Sequence, residues 1–165
     1  MADLKSGVNP LFLREEELRQ AMELLFYAYK DFTAEPDLML AKIGFGRAHH
    51  RVIYFVGRYP SISVSELLGI LRITKQSLSR VLGQLVQQGY IHQRPGTTDR
   101  RQRLLTLTAQ GEILERQLSE SQRRLMATAF RDAGAEAVEG FRKVLLGMIN
   151  DQDRLALSRA AQPQR

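Results

Sequence analysis

The sequence predicts a mainly α-helical chain carrying one small β-hairpin. Three observations lead there. Amphipathic stretches with helical periodicity occupy both ends of the chain. Between residues 63 and 89, a capping signal, a short turn and a glycine stop mark out two closely spaced helices. Two β-prone runs around Pro95-Gly96 follow at once.

Residues 11–33 read as a long helix. Leu18, Met22, Leu25, Tyr29 and Phe32 recur at helical spacing, and Glu15, Glu16 and Glu17 sit where the helix dipole favours acids. Glu35-Pro36-Asp37 is expected to break it, because proline cannot donate to the helical ladder. A second helix is expected over 45–58, with Phe45, Ala48, Val52, Phe55 and Val56 as its apolar set. Ser63 and Glu66 form a capping box for a short helix over Val64–Leu71. Arg72-Ile73 turns the chain, Thr74 caps a helix over Lys75–Gln88, and Gly89 stops it. Leu78, Val81, Leu82, Leu85 and Val86 give that helix a buried face. The pair makes a helix-turn-helix.

Tyr90–Arg94 and Arg101–Leu107 then form the hairpin, with Ile91, Leu105 and Leu107 toward the core. Thr108 caps a helix over 109–131, Gly134 interrupts it, and a single last helix is expected over 135–159. Val138, Phe141, Leu145, Met148, Gln152 and Leu155 follow heptad spacing there. The terminal helices carry more apolar surface than one small lobe buries, so a helical interface between two subunits is expected. The first ten residues and the tail AAQPQR read as disordered.

Charge follows this division. Arg72, Lys75, Arg80, Arg94, Arg100, Arg101 and Arg103, against the single acid Asp99, carry +6 between residues 72 and 103, equal to the net charge of the chain. The flanking segments are each within one unit of neutrality. A basic stripe on a helix and the hairpin behind it is the electrostatic footprint of a nucleic-acid binder. The absence of cysteine excludes disulfides, thiolate metal sites and cysteine redox sensing. No apolar run reaches the ~18 residues of a membrane span, and no signal peptide opens the chain, so a cytoplasmic location is expected. No Gly-rich phosphate loop, G-x-S-x-G motif or metal-ligand cluster is present, so an enzyme is not expected. His49 and His50 are adjacent, point about 100° apart on a helix and lack a third ligand nearby in sequence, so no metal and no cofactor are expected.

The order helix, helix, helix-turn-helix, wing and two long helices resembles the MarR family of bacterial transcriptional regulators. Asp99-Arg100-Arg101, then Leu105-Thr106-Leu107-Thr108 and Gly111, is similar to that family's wing signature. Ser65-Glu66-Leu67-Leu68 through Ile73-Thr74, Ser79, Leu85 and Gly89-Tyr90-Ile91 looks like its helix-turn-helix. The likeness spans residues 11–150. It implies a single domain: a winged helix-turn-helix core over about 45–108 and dimerisation helices over about 11–33 and 109–159. It also implies a homodimer on a pseudo-palindromic double-stranded DNA operator, and a small aromatic or anionic effector that lowers DNA affinity.

Within that frame Lys75–Gln88 is expected in the major groove. Gln76 suits adenine, and Lys75 or Arg80 suits guanine. Ser77 and Ser79 can reach bases or phosphates. Thr74 caps the helix beside a phosphate-attracting N-terminus. Arg100, at the hairpin tip, is expected in the minor groove. Asp99 is expected to pair with an arginine and hold the tip, with Arg101 completing the brace; Arg94 and Arg103 flank the DNA backbone. Arg72 is open to pairing with an acid inside its own lobe. Tyr27, Tyr29, Phe45, Arg47, His49, His50 and Tyr54 lie where the family places its effector pocket, although aromatics at helical spacing more often form core. The competing readings are a winged helix that binds RNA or docks on protein. The outer face of Lys75–Gln88 shows none of the aromatics that stack RNA bases, which favours duplex DNA.

Overall fold

The computed structural model describes residues 10–160. The expectations for the two terminal segments lie outside those residues. A single 3-10 turn, Leu11–Leu13, leads into α1 (Glu15–Ala41) and α2 (Arg47–Arg58). A short strand β1 (Ile62–Ser63) precedes α3 (Val64–Leu71) and α4 (Lys75–Gln87). The hairpin β2 (Ile91–Pro95) and β3 (Arg103–Leu107) follows, then α5 (Ala109–Ala133), α6 (Ala135–Met148) and α7 (Asp151–Ala160).

The first helix runs through the expected break. Pro36 lies inside α1 and is buried. Its missing N–H leaves the Phe32 carbonyl without a helical donor. The Gln122 side chain on α5 supplies that donor at 3.2 Å, so a side chain 90 positions away restores what the proline removed. Thr33 returns its hydroxyl to the Tyr29 carbonyl at 2.9 Å in the same stretch. The helix ends at Ala41, and Gly44, in the turn behind it, takes the left-handed conformation at φ +76°. Phe45 therefore sits in the connection rather than in α2, yet it is buried and belongs to the core.

The sheet has three strands in the order β1-β3-β2, all antiparallel. Ile62 pairs with Leu105, and Ile91 with Leu107. Two residues carry no readable alternation, which is why β1 was not expected. The core forms where α2, α3, α4 and the sheet meet. Val52, Ile53, Leu67, Leu78, Leu85, Ile91 and Leu105 are fully buried there, and Leu114 and Leu118 close it from α5. Val86, expected inside, is 37% exposed at the edge.

The last helix is two helices. Ile149 is extended at φ −85°, ψ 153°, and Asn150 restarts the chain as an N-cap, its Oδ1 accepting the Asp153 N–H at 2.9 Å. Asparagine is a poor interior residue and a strong cap, because its short side chain competes for backbone donors. The apolar stripes at both ends stay uncovered in the single chain: Leu18, Met22 and Leu25 on α1, and Phe141, Met148 and Leu155 at the C-terminal end.

Candidate nucleic-acid interface

Both helices of the helix-turn-helix are set by their caps. Ser63 Oγ accepts the Glu66 N–H at 3.1 Å and Glu66 Oε2 accepts the Ser63 N–H at 2.8 Å. Arg72 turns the chain in the left-handed region at φ 52°. Thr74 Oγ1 then accepts the Ser77 N–H at 3.1 Å and donates to Ser77 Oγ at 2.9 Å. Ser77 is thereby held to the cap and half-buried. Lys75, Gln76, Ser79 and Arg80 are exposed on the outer face of α4. The first turn of α4 holds no acid. Its partial positive charge is therefore uncompensated and favours an approaching anion.

Behind α4, Gly89 takes φ +81° and the chain enters β2. The wing tip is closed by backbone bonds, Gly96 N–H to the Gln102 carbonyl at 2.9 Å and Gln102 N–H to the Asp99 carbonyl at 3.1 Å. A Cβ at Gly96 would lie 2.3 Å from the Asp99 carbonyl oxygen, so glycine is required by the closeness of the turn. Arg100, Arg101 and Arg103 are exposed at this tip.

Two expectations about charges need correction, those for Asp99 and Arg72. Asp99 does not brace the tip through a guanidinium; its Oδ1 accepts the Arg101 backbone N–H at 2.9 Å. The tip is tight enough for a short acidic side chain to satisfy its own backbone two residues on. Arg72 pairs with Asp153 of α7 at 3.3 Å, outside the lobe. The Asn150 cap orients that carboxylate, since Asn150 Nδ2 donates to the other oxygen at 2.7 Å. Arg94 donates to Ser61 Oγ at 2.9 Å and is half-buried, so it also serves the root of the wing. Among the described residues, Lys75, Arg80, Arg94, Arg100, Arg101 and Arg103 enter no ion pair, whereas Arg19, Arg47, Arg72, Arg123, Arg124 and Arg154 each do.

The residues considered for an effector pocket are largely engaged with one another. Arg47 pairs with Asp37 at 3.0 Å and lies over the Tyr29 ring at 5.6 Å. Arg51 donates to the Tyr29 hydroxyl at 3.3 Å. His49 stacks on Phe45 and bonds to Gly46 and Gln84. Burial lowers the His50 pKa and outweighs the neighbouring Asp37 and Glu115, which raise it; Arg51 lowers it further. An open groove of about 360 Å³ lies instead between the C-terminal end of α1 and α5, walled by Met39, Lys42, Ile43, Tyr90, Gln110, Ile113, Leu114 and Gln117. Sequence spacing did not reveal it, because its walls come from segments some 70 positions apart. Among the described residues no group of three His, Asp or Glu is placed to hold a metal, and no helix is long and apolar enough to cross a membrane.

A capped helix with an exposed polar and cationic face, backed by an arginine-tipped hairpin, defines a winged helix-turn-helix protein. Comparison with known proteins agrees. A family model described as MarR family matches residues 43–102. The chain is 49% identical over 144 residues to the HTH-type transcriptional regulator PetP of Rhodobacter capsulatus, covering 87% of each. It is 31% identical over 83 residues to the HTH-type transcriptional regulator BilQ of Clostridium symbiosum, covering 50% of this chain and 58% of that one. Among solved structures it resembles Streptococcus pneumoniae FabT in complex with DNA, with a TM-score of 0.69 at 19% identity over 79% of this chain and 94% of that one. It also resembles a mutant MarR from E. coli complexed with operator DNA, with a TM-score of 0.62 at 20% identity over 86% and 99%. The chain belongs to the MarR family. It is a helix-turn-helix transcriptional regulator, a family of DNA-binding proteins rather than enzymes.

Proposed function

We propose that this regulator acts as a cytoplasmic homodimer on a pseudo-palindromic operator, and represses transcription until a small aromatic or anionic effector releases it. The observation that carries the DNA reading is the concentration of cations on α4 and the wing, Lys75, Arg80, Arg94, Arg100, Arg101 and Arg103, none of which enters an ion pair among the described residues. Cations without carboxylate partners are free to replace the counterions of phosphates. In this reading Lys75, Gln76, Ser79 and Arg80 meet base edges in the major groove, with Thr74 and Ser77 at the helix terminus near phosphate. Arg100 enters the minor groove, Asp99 and Arg101 shape the tip, and Arg94 and Arg103 flank the backbone. The DNA complexes of FabT and MarR, similar in fold, support this choice of partner.

The dimer reading draws on the uncovered stripes of α1 and α6, helical extensions of a single domain spanning residues 11–150, and of α7 directly behind it. A face with Met22, Phe26 and Phe12 each more than 60% exposed is more apolar than a monomer surface ordinarily carries. The groove beside Lys42 offers an apolar wall and one cation, which suits an aromatic acid.

Sequencing of DNA recovered with the protein from cells would supply the operator. Binding to that duplex should weaken steeply with salt, each neutralised phosphate adding ~0.9 to the log–log slope. Arg100→Ala should weaken binding without altering the melting temperature. Equal affinity for the operator and for random duplex would overturn the reading in favour of a docking module. A stable monomer in sedimentation would remove the dimer.

A further inference from the structure

His49 lies on α2, outside the surface described above, yet its ring holds three parts of the lobe together. Its Nδ1 accepts the Gly46 N–H at 3.1 Å. Its Nε2 lies 2.6 Å from Gln84 Oε1 on α4. A neutral imidazole nitrogen that accepts carries no proton, so the proton sits on Nε2 and is donated to Gln84. The ring also stacks on Phe45, with centroids 4.4 Å apart and planes 13° apart. Phe45 meets Tyr90 edge-on at 5.6 Å, and Tyr90 lines the groove beside Lys42 and Ile43.

Gln84 shares a face with the DNA-facing residues. Gln76, Arg80 and Gln84 follow at i, i+4 and i+8 and so form one row along α4. The opposite face of α4 is held by Leu78, Val81, Leu82 and Leu85, all buried. Apolar contacts are non-directional and tolerate a small rotation of a helix about its axis. A hydrogen bond is directional and does not.

We infer that His49 is a positioning residue for α4. It fixes the rotation of the helix, and therefore the aim of Gln76 and Arg80, and ties that rotation to the connection between α1 and α2 at the rim of the groove. The inference rests on the reading of α4 as the helix that enters DNA.

The test uses the full-length protein and the operator duplex recovered from cells. His49→Phe keeps a ring on Phe45 and removes both hydrogen bonds. Gln84→Ala, at an exposed site, removes only the acceptor. Each should weaken operator binding about three- to tenfold, the range expected for one hydrogen bond. The salt slope should not change, because no cation is lost. The double variant should lose no more than either single one, since both break the same link. The ¹⁵N spectrum of His49 should show the Nε2-protonated tautomer in the wild type and also in Gln84→Ala, where the Gly46 N–H still holds Nδ1, while the Nε2–H resonance should shift on loss of its acceptor. Wild-type affinity in His49→Phe, while Lys75→Ala and Gln76→Ala weaken binding, would overturn the inference but spare the assignment of α4. Additive losses in the double variant would also overturn it, because Gln84 would then touch DNA on its own account. If Lys75→Ala and Gln76→Ala leave affinity unchanged, the assignment of α4 itself fails and the inference falls with it.

Discussion

Replacing Gly111 with alanine sets helix propensity against tertiary packing. Gly111 lies in the first turn of α5, where a glycine is ordinarily worse than alanine by ~1 kcal/mol. Propensity alone therefore predicts that Gly111→Ala stabilises the protein. The structure predicts the reverse. A Cβ at this position would lie 2.0 Å from the Tyr90 carbonyl oxygen and 3.3 Å from Leu107 Cβ. Carbon and oxygen atoms in contact normally sit about 3.3 Å apart or more, so backbone must move by more than about 1 Å. That same carbonyl accepts the Thr108 N–H at 3.0 Å, and Thr108 Oγ1 caps α5 by accepting the Gly111 N–H at 3.0 Å. Relief of the clash therefore disturbs the cap of α5 and the start of β2 together. Overpacking costs about 1–3 kcal/mol and a loosened buried hydrogen bond about 1–3 kcal/mol, so the loss should be roughly 2–6 kcal/mol. This is a large part of the ~5–15 kcal/mol typical of a folded chain. Urea denaturation at fixed protein concentration measures it, and the melting temperature should fall by roughly 5–15 °C. Gly69→Ala is the matched control. It sits inside α3 with open space around its Cβ position, and it should gain about 0.5–1 kcal/mol. A Gly111→Ala variant as stable as the wild type would refute the reasoning.

Gln122→Leu should cost about 1–2 kcal/mol in the same assay, because it strands the Phe32 carbonyl beside Pro36; no loss would mean that water or a shifted neighbour supplies the donor. Asp153→Asn should change stability by less than ~1 kcal/mol, since both partners of the Arg72 pair are about half exposed and screened by solvent. A larger loss would show that α7 contributes more to the lobe than this one contact. For His50, the folded pKa lies below the ordinary histidine value because burial disfavours the charged ring. The unfolded chain therefore binds the proton first as pH falls. The stabilising contribution is complete above the unfolded pKa and is lost as pH drops from there through the folded value. His50→Gln should flatten the wild-type fall in unfolding free energy between about pH 7 and pH 5, and parallel pH profiles for the two proteins would contradict the assignment.

What could be read from the chain was local. The Ser63–Glu66 box, the Thr74 and Thr108 caps and the stops at Gly89 and Gly134 fixed the ends of α3, α4 and α5 almost to the residue, because each signal acts within four positions. The charge of residues 72–103 marks the candidate DNA face in the sequence itself, because the stripe is nearly continuous along the chain. The departures came where a distant partner decided the outcome. Pro36 reads as a helix break until Gln122 arrives from α5 to satisfy Phe32. Two residues of β1 carry no pattern until β3 pairs with them. Arg72 has no local acid, and only the turn at Ile149-Asn150 brings Asp153 to it. Nothing in its neighbourhood in sequence names the partners of His49, which are Gly46 close by and Gln84 35 positions away. The sequence by itself determined the winged helix-turn-helix, its basic face and its family resemblance, since propensity, capping and charge are properties of neighbouring residues. The tertiary structure decided which of those charges stay unpaired, which helix survives its proline and what holds α4 at its angle. Those outcomes depend on hydrogen bonds between elements that only folding brings within about 3 Å of each other.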